Sequence, residues 1–147
     1  MASTIDLIAD YAHALRYSEL PAEAVRHCKR CLVDTFGVAL GAFDVEPSRI
    51  ARAMAQRVSV PAGPRVIGTA HRTLPELAAF ANGVMARYFD GNDVYPGGGG
   101  HPSDMMAAIL AVADMKGADG KTILTAIALA YEVYYGLWQA THMRLKG

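Results

Sequence analysis

The sequence predicts an all-α fold, a bundle-like domain of about six helices in which at most one short segment is extended. Apolar residues recur at helical spacing in six stretches, and proline or glycine separates most of these stretches from one another. Of the 147 residues, 52% are hydrophobic and 19% are charged, which supplies enough apolar surface for a core. A chain of this length is typical of one domain.

The first three helices are predicted from their apolar spacing and their caps. Ser3 or Thr4 can cap the free amides of the first helix. Pro21 and Pro47 stand where the second and third helices begin, in a first turn that tolerates proline. The predicted ranges are 3–17, 21–41 and 47–58, and the second helix is long enough to be central.

Residues 65–69, with β-branched Val66 and Ile67, are predicted to be extended, either as a single edge strand or as a connector. Three further helices are predicted after this segment. Thr73 and Glu76 have the form of a capping box for the fourth helix, and the fifth and sixth have cap candidates at residues 103 and 119. The predicted ranges are 73–90, 103–117 and 120–140.

The sixth predicted helix is apolar on most sides. Its apolar positions are Ile123, Leu124, Ile127, Leu129, Val133 and Leu137. A helix of this kind must be covered on more than one face, and five helices of this size give little cover. The tail over residues 144–147 carries no evident cap. We therefore expect the chain to be a fragment, or one subunit, of something larger.

Charge and hydropathy exclude several classes of protein. Fourteen basic and fourteen acidic side chains cancel, and no segment concentrates Lys and Arg as nucleic-acid or anionic-membrane binders do. No run of about 18 apolar residues occurs, and Asp6 and Asp10 interrupt any signal peptide at the N-terminus. We expect no nucleic-acid partner, no membrane association and a cytoplasmic location.

Cys28 and Cys31 are three residues apart in the second predicted helix. A redox pair would open a helix after a strand, and a structural zinc site would need a second pair of ligands, which His27 alone does not supply. We predict two reduced thiols, at least one of them in the core, because a free cysteine packs as a small hydrophobe.

Two glycine-containing segments have some features of phosphate-binding loops. In residues 117–122 the spacing is wrong, because Met115 stands where the first glycine would be, and helix capping by Asp119 is the better interpretation. The glycines at residues 97–100 lack the strand-turn-helix setting of a dinucleotide site. They indicate a flexible or tightly folded loop that lets the backbone approach a ligand closely.

The loop between the fourth and fifth predicted helices concentrates reactive side chains, namely Asp90, Asp93, His101, Ser103 and Asp104. An imidazole can give or take a proton near neutral pH, and a carboxylate can hold its tautomer. Amides at the helix start after Pro102 can hold a substrate carboxylate. Two other interpretations stay open. The acids can simply end and begin helices beside an ordinary loop histidine, or Asp and His can bind a metal, although no HxxxH or ExxH pair indicates a geometry.

The remaining histidines and the late tyrosines receive simpler interpretations. We assign no function to His13, His27, His71 and His142. For Tyr131, Tyr134 and Tyr135 we predict a bundle face or an interface.

Several stretches, in order along nearly all of the chain, resemble a known family. They are Ala81-Asn-Gly83, Tyr88-Phe-Asp-Gly-Asn-Asp93, Gly100-His-Pro-Ser-Asp104, residues 27–37 and residues 120–132. The chain is similar in these stretches to the MmgE/PrpD family, which includes 2-methylcitrate dehydratases, cis-aconitate decarboxylases and an epimerase. Their shared chemistry is dehydration, decarboxylation or epimerisation beside a carboxylate, without a redox cofactor.

The resemblance implies a domain organisation. Members have a helical domain built from both ends of the chain and an inserted α+β lid, form homodimers and run to roughly three times this length. Residues 1–147 would then be the N-terminal part of the helical domain, without the lid and the C-terminal helices. The implied partners are a second copy of the chain or a complementary chain that supplies the lid.

The resemblance also implies roles for individual residues. Asp90 and His101 match the family's active-site aspartate and histidine and are the catalytic candidates. Asp93 matches the second aspartate of the motif, and with Asn92 and Ser103 it is a substrate-binding candidate. Val94 stands where many members have a threonine that contacts substrate, which leaves the substrate open.

The expected function is that of part of a 2-methylcitrate dehydratase-like lyase of propionate metabolism. It would act on a small di- or tricarboxylic acid, with no cofactor and no metal, and would be inactive without the missing part. The alternative is a non-catalytic helical remnant or interaction subunit of the same fold.

Overall fold

The computed structural model describes residues 3–95 and 100–141. Within these residues it has six α-helices and two short 3₁₀ turns, Tyr17–Glu19 and Pro102–Met105, and no strand. The predicted all-α fold of about six helices is confirmed. In order, α1 to α6 are Thr4–Ala14, Ala22–Gly41, Glu46–Ala55, Pro75–Arg87, Met106–Lys116 and Gly120–Thr141.

Three of the predicted helix boundaries are confirmed by their capping contacts. Ser3 caps α1, and its side chain and that of Asp6 each bond the other's backbone amide. The amide of Thr122 donates to Asp119 Oδ1 at 2.8 Å at the start of α6. Gly117, with φ 62°, ends α5 in the left-handed conformation that glycine adopts without strain.

Two predicted caps are wrong. Thr73 does not cap α4, because its buried hydroxyl donates to the Ala55 carbonyl at 2.9 Å and ties the start of α4 to the end of α3. Ser103 does not cap α5, since it lies inside the 3₁₀ turn that precedes this helix. In both cases the hydroxyl that could have capped the helix instead forms a hydrogen bond with a residue distant in the sequence.

The predicted extended segment is a connector. Arg65 and Arg72 form an isolated antiparallel bridge. The buried side chain of Asn82 on α4 accepts from the Ile67 amide at 2.8 Å and donates to the Arg65 carbonyl at 3.2 Å. One amide side chain therefore satisfies two backbone groups that would otherwise need a neighbouring strand.

Two apolar clusters make up the core, and α2 contributes to both. The first joins α2, α3, α4 and the connector through Ala39, Ala51, Ala55, Val66, Ala81, Met85 and Ala86. The second joins α2, α5 and α6 through Cys28, Met106, Leu124, Ile127 and Ala128. As predicted for the free thiols, Cys28 is buried and Cys31 is half-buried, and both are unpaired. Burial raises the pKa of the Cys28 thiol.

The described part of α6 is covered only over its first half. Leu124, Ile127 and Ala128 are buried, whereas Tyr135 and Leu137 further along are exposed. No helix in the described residues is both long and apolar enough to cross a bilayer.

Candidate active site between α4 and α5

The loop that follows α4 begins with a backbone turn at Asp90. Its amide donates to the Arg87 carbonyl at 3.2 Å, and its φ of 52° makes it the residue other than glycine with a positive φ among those described. Aspartate tolerates this left-handed conformation better than most residues do. The turn leaves the Asp90 carboxylate at the surface, with its side chain 72% exposed.

The imidazole of His101 is held between two oxygen atoms. Its Nδ1 lies 2.8 Å from the backbone carbonyl oxygen of Asp93, and its Nε2 lies 3.4 Å from Asp90 Oδ1. The Nδ1 contact is a hydrogen bond to an oxygen that can only accept, whereas the longer Nε2 contact with Asp90 is an ion pair only when the ring is protonated, so in the neutral ring the proton belongs on Nδ1. Nε2 then carries the free electron pair, on the side of the ring that faces Asp90.

Arg87, in the last turn of α4, pairs with Asp90. Its guanidinium hydrogen-bonds the Asp90 carboxylate, and its Nε lies 3.5 Å from Asp104 Oδ1. Arg87 holds the pKa of Asp90 below its usual range, and the nearby His101 adds to this effect. Asp90 is therefore ionised at neutral pH, as a partner for an imidazolium must be.

The carboxylate of Asp93 is bonded on both oxygens. The Ser103 amide donates to Oδ1 at 3.1 Å, and the Tyr131 hydroxyl donates to Oδ2 at 2.8 Å. Burial, with hydrogen bonds to Cys31 and Asp93, raises the pKa of Tyr131, so the phenol keeps its proton. The expectation that the amides after Pro102 hold a substrate carboxylate needs correction at Ser103, because Asp93 occupies that amide.

Asn92 and Ser103 lie beneath the loop, 7% and 2% exposed. Asn92 Nδ2 donates to the Ser103 hydroxyl at 3.1 Å, which joins the start of the loop to its end. The Asn92 Oδ1 atom is buried without a partner in the described structure. Their mutual hydrogen bond shapes the loop, and the unpartnered Asn92 Oδ1 stays available to a ligand.

A cleft of about 950 Å³ opens between α2 and the loop. Asn92, Asp93 and Val94 line it on the loop side, and its other walls include Arg30 and Tyr131. Asp90 and His101 are not among the described residues that line this cleft. The structure thus brings the two catalytic candidates together at the surface beside the cleft, and Asp93 contributes to both places.

Residues 96–99, which include most of the glycine run, lie outside the described residues, as does His142. Across residues 3–95 and 100–141, no three His, Cys, Asp or Glu side chains group as metal ligands would.

Sequence reasoning missed two residues of this arrangement. Arg87 stands three residues before Asp90, a spacing at which helical charges meet, so a signal for it was present. Tyr131 contacts Asp93 over 38 positions of sequence, and no local pattern indicates that pairing. Its neighbours Tyr134 and Tyr135 pack near Tyr95 at ring distances of 6.3 and 5.5 Å.

Comparison with known proteins identifies the family. Residues 6–147 match the family model described as the MmgE/PrpD N-terminal domain. The 2-methylcitrate dehydratase-like protein oryR of Aspergillus oryzae is 36% identical over 88% of this chain and 29% of its own length. The 2-methylcitrate dehydratase of Escherichia coli K12 is 35% identical over 86% of this chain and 28% of its own length.

A third relative carries a different substrate in its name. The alkylcitrate dehydratase phiI of Talaromyces stipitatus is 31% identical over 73% of this chain and 23% of its own length. The chain thus spans less than a third of the length of these curated relatives. By the match of its residues 6–147, it belongs to the MmgE/PrpD family.

Proposed function

We propose that this chain is the helical portion of a cofactor-independent lyase that moves protons on a small di- or tricarboxylic acid. The observation that carries the proposal is the placement of His101, with Nδ1 on a backbone carbonyl and Nε2 on the side of an ionised Asp90. This is the arrangement in which a neutral imidazole is a base at a known atom. The dehydratase names of the relatives support the substrate class.

In this proposal His101 Nε2 removes a proton from the carbon next to a substrate carboxylate. The electrons of that C–H bond form a carbon–carbon double bond as the C–O bond to a neighbouring hydroxyl breaks. The proton taken from carbon and the departing hydroxide together make up the water that is lost. Asp90 stabilises the imidazolium that exists between these steps, and Arg87 holds the Asp90 carboxylate beside the ring.

The other predicted site residues act around this pair. Asp93 supplies the carbonyl that orients the ring and lines the neighbouring cleft, where substrate would lie. Asn92 and Ser103 shape the pocket from below through their mutual hydrogen bond, and they stay candidates for substrate contact. With Val94 at the cleft, the wall that meets the substrate is apolar at that point.

The site is proposed to be completed by further protein, either a second copy or a complementary chain that supplies the lid. The high exposure of Asp90 supports this, because an ion pair in bulk water is screened and contributes little. Exposed apolar side chains elsewhere also support it, including Ile5, Leu7 and Val33. A cytoplasmic location and a role in propionate metabolism stay predictions, as does the choice among dehydration, decarboxylation and epimerisation.

The alternative is a non-catalytic helical module of the same family. One observation favours it, namely that the cleft beside the loop is lined by Asp93 but by neither His101 nor Asp90. A reading frame beside this one that encodes the lid and C-terminal helices would favour the lyase, whereas its absence would favour the module.

The deciding experiment measures turnover of 2-methylcitrate, citrate and cis-aconitate by the purified chain, alone and with a candidate complementary chain. His101→Ala should lower turnover by about 100-fold or more, the usual contribution of one acid/base group. His13→Ala, which alters an exposed histidine on α1, is the matched control and should leave turnover unchanged. Turnover of His101→Ala within a few-fold of wild type would refute the assignment.

A further inference from the structure

Tyr131 contacts the candidate site from a different helix. It lies in α6, three residues beyond the buried Ala128, and its half-buried ring packs against the second core cluster. Its hydroxyl donates to Asp93 Oδ2 at 2.8 Å. Because the ring is held by the core, the hydroxyl is a rigid point to which the loop is attached.

Asp93 connects Tyr131 to His101, because it contacts both residues. Its side chain is bonded by the Tyr131 hydroxyl on one oxygen and by the Ser103 amide on the other, so the carboxylate has little freedom to rotate. Its own backbone carbonyl accepts the Nδ1 proton of His101 at 2.8 Å. A side chain held at both oxygens restrains the backbone to which it is attached, and with it the orientation of that carbonyl.

From these contacts we propose that Tyr131 is a positioning residue. Through Asp93 it holds the His101 ring in the tautomer protonated on Nδ1, with Nε2 directed towards Asp90. The inference rests on the proposed role of His101 and deepens it. Tyr131 itself touches no reacting atom, because it acts on the imidazole through one intervening residue.

A tyrosine suits this role for a physical reason. The phenol ring is rigid and carries its donor far from the backbone, so a hydroxyl fixed by core packing can reach the Asp93 carboxylate on the loop. Phenylalanine at this position keeps the ring and the packing and removes only the donor. Any change that it causes at His101 is therefore due to the hydroxyl.

The test compares Tyr131→Phe with wild type by long-range proton–nitrogen correlation spectra of the histidine rings. In the wild-type chain the His101 ring should be mainly protonated on Nδ1. In Tyr131→Phe the ratio of Nδ1-protonated to Nε2-protonated ring should fall about fivefold, as expected for the loss of one ordinary hydrogen bond from the network. Exchange of the Ser103 amide should accelerate by about tenfold, since its acceptor is no longer restrained.

Tyr11→Phe is the matched control. Tyr11 also donates from a phenol to an acid on α6, here Glu132, the residue next to Tyr131. The control loses the same chemical group from a pair that includes no residue of the loop, and the His101 spectrum should be unchanged. A shift of equal size in both variants would mean that general loosening of α6, not the contact with Asp93, moves the ring, and would overturn the inference.

Three further outcomes decide the matter. A His101 ring protonated mainly on Nε2 in the wild-type chain overturns the inference without any variant. An unchanged ratio in Tyr131→Phe overturns it as well. If Tyr131→Phe does not fold, Asp93→Asn weakens the same contact from the other end, and an unchanged ratio there is equally decisive.

Turnover separates this inference from the proposed function. In the active assembly Tyr131→Phe should lower kcat about tenfold with KM within about twofold, because the base is misplaced while binding is kept. A changed tautomer ratio together with full activity of His101→Ala would leave the positioning intact and refute the lyase role. Inactive His101→Ala with an unchanged ratio in Tyr131→Phe would refute the positioning alone.

Discussion

Replacing Asp114 by asparagine should destabilise the fold at neutral pH and have little effect in acid. Asp114 lies near the end of α5 and ties that helix to the connector between α3 and α4. Its Oδ2 accepts from the backbone amide of Arg65 at 2.9 Å and from the Nε of the same residue at 3.1 Å. Its Oδ1 accepts from Arg65 Nη2 at 3.2 Å and lies 3.7 Å from Arg72 Nη1.

The size of the effect follows from these contacts. A hydrogen bond from a backbone amide to a carboxylate contributes about 1 kcal/mol. The Arg65 side chain is 57% exposed, so solvent screens the ion pair and it adds little to the backbone hydrogen bond. Asparagine keeps one acceptor but cannot accept on both atoms. We expect a loss of about 1 kcal/mol in the free energy of unfolding at pH 7.

The sign of the pH dependence follows from the direction of the pKa shift. Hydrogen bonds and charge from Arg65 hold the pKa of Asp114 below its usual value. The stabilisation is therefore fully present above the unfolded-state pKa of about 3.9 and is lost as the pH falls through the lower, folded-state pKa. The difference between wild type and Asp114→Asn should shrink towards zero over that range.

Urea unfolding followed by far-ultraviolet circular dichroism, at neutral pH and across the acid range, measures both quantities. Asp119→Asn is the control, because asparagine caps a helix about as well as aspartate and should change stability by no more than a few tenths of a kcal/mol at pH 7. The reasoning fails if Asp114→Asn costs no more than this control at pH 7. It also fails if the cost persists undiminished once the carboxylate is protonated.

Three other predictions concern the core, the backbone and the site. Ile127→Ala should lower the free energy of unfolding by about 2–5 kcal/mol in urea titrations, because Ile127 is fully buried; a loss under about 1 kcal/mol would contradict its place in the core. Gly63→Ala should lower the free energy of unfolding by more than about 2 kcal/mol, because the new Cβ would lie 2.0 Å from the Thr73 carbonyl oxygen. Gly37→Ala should instead raise it by about 0.5–1 kcal/mol, because Gly37 lies within a helix and a Cβ there would meet no other atom. Arg87→Met should raise the pKa of Asp90 towards its ordinary value in a carboxyl-carbon NMR titration, and an unchanged pKa would refute the pairing.

The number and order of the helices were predictable because apolar periodicity and helix-breaking residues are local signals. Ser3 and Asp119 cap as expected, since their partners lie within the first turn of the helix they cap. Thr73 was misassigned because its hydroxyl bonds the carbonyl of Ala55, a residue of another helix. Such tertiary competition leaves no mark on local spacing.

At the candidate site, too, local features were predictable and contacts between distant residues were not. The loop and its acidic residues could be recognised from a change in composition. Resemblance to the family singled out Asp90 and His101, and in the structure Asp90 Oδ1 lies 3.4 Å from His101 Nε2. Which ring nitrogen of His101 lacks a proton could not be predicted, because it depends on the contact with the Asp93 carbonyl oxygen. The contact from Tyr131 was equally hidden, because it joins two helices through the packing of the core.

The left-handed backbone of Asp90 affects how mutagenesis of this loop should be interpreted. An alanine introduced there would remove the carboxylate and also strain the main chain by about 1 kcal/mol, so a lost activity could not be assigned to charge. Asparagine shares aspartate's tolerance of that conformation and changes only the charge. Comparing Asp90→Asn, Asp90→Gly and Asp90→Ala would therefore separate the electrostatic contribution of this position from its conformational one.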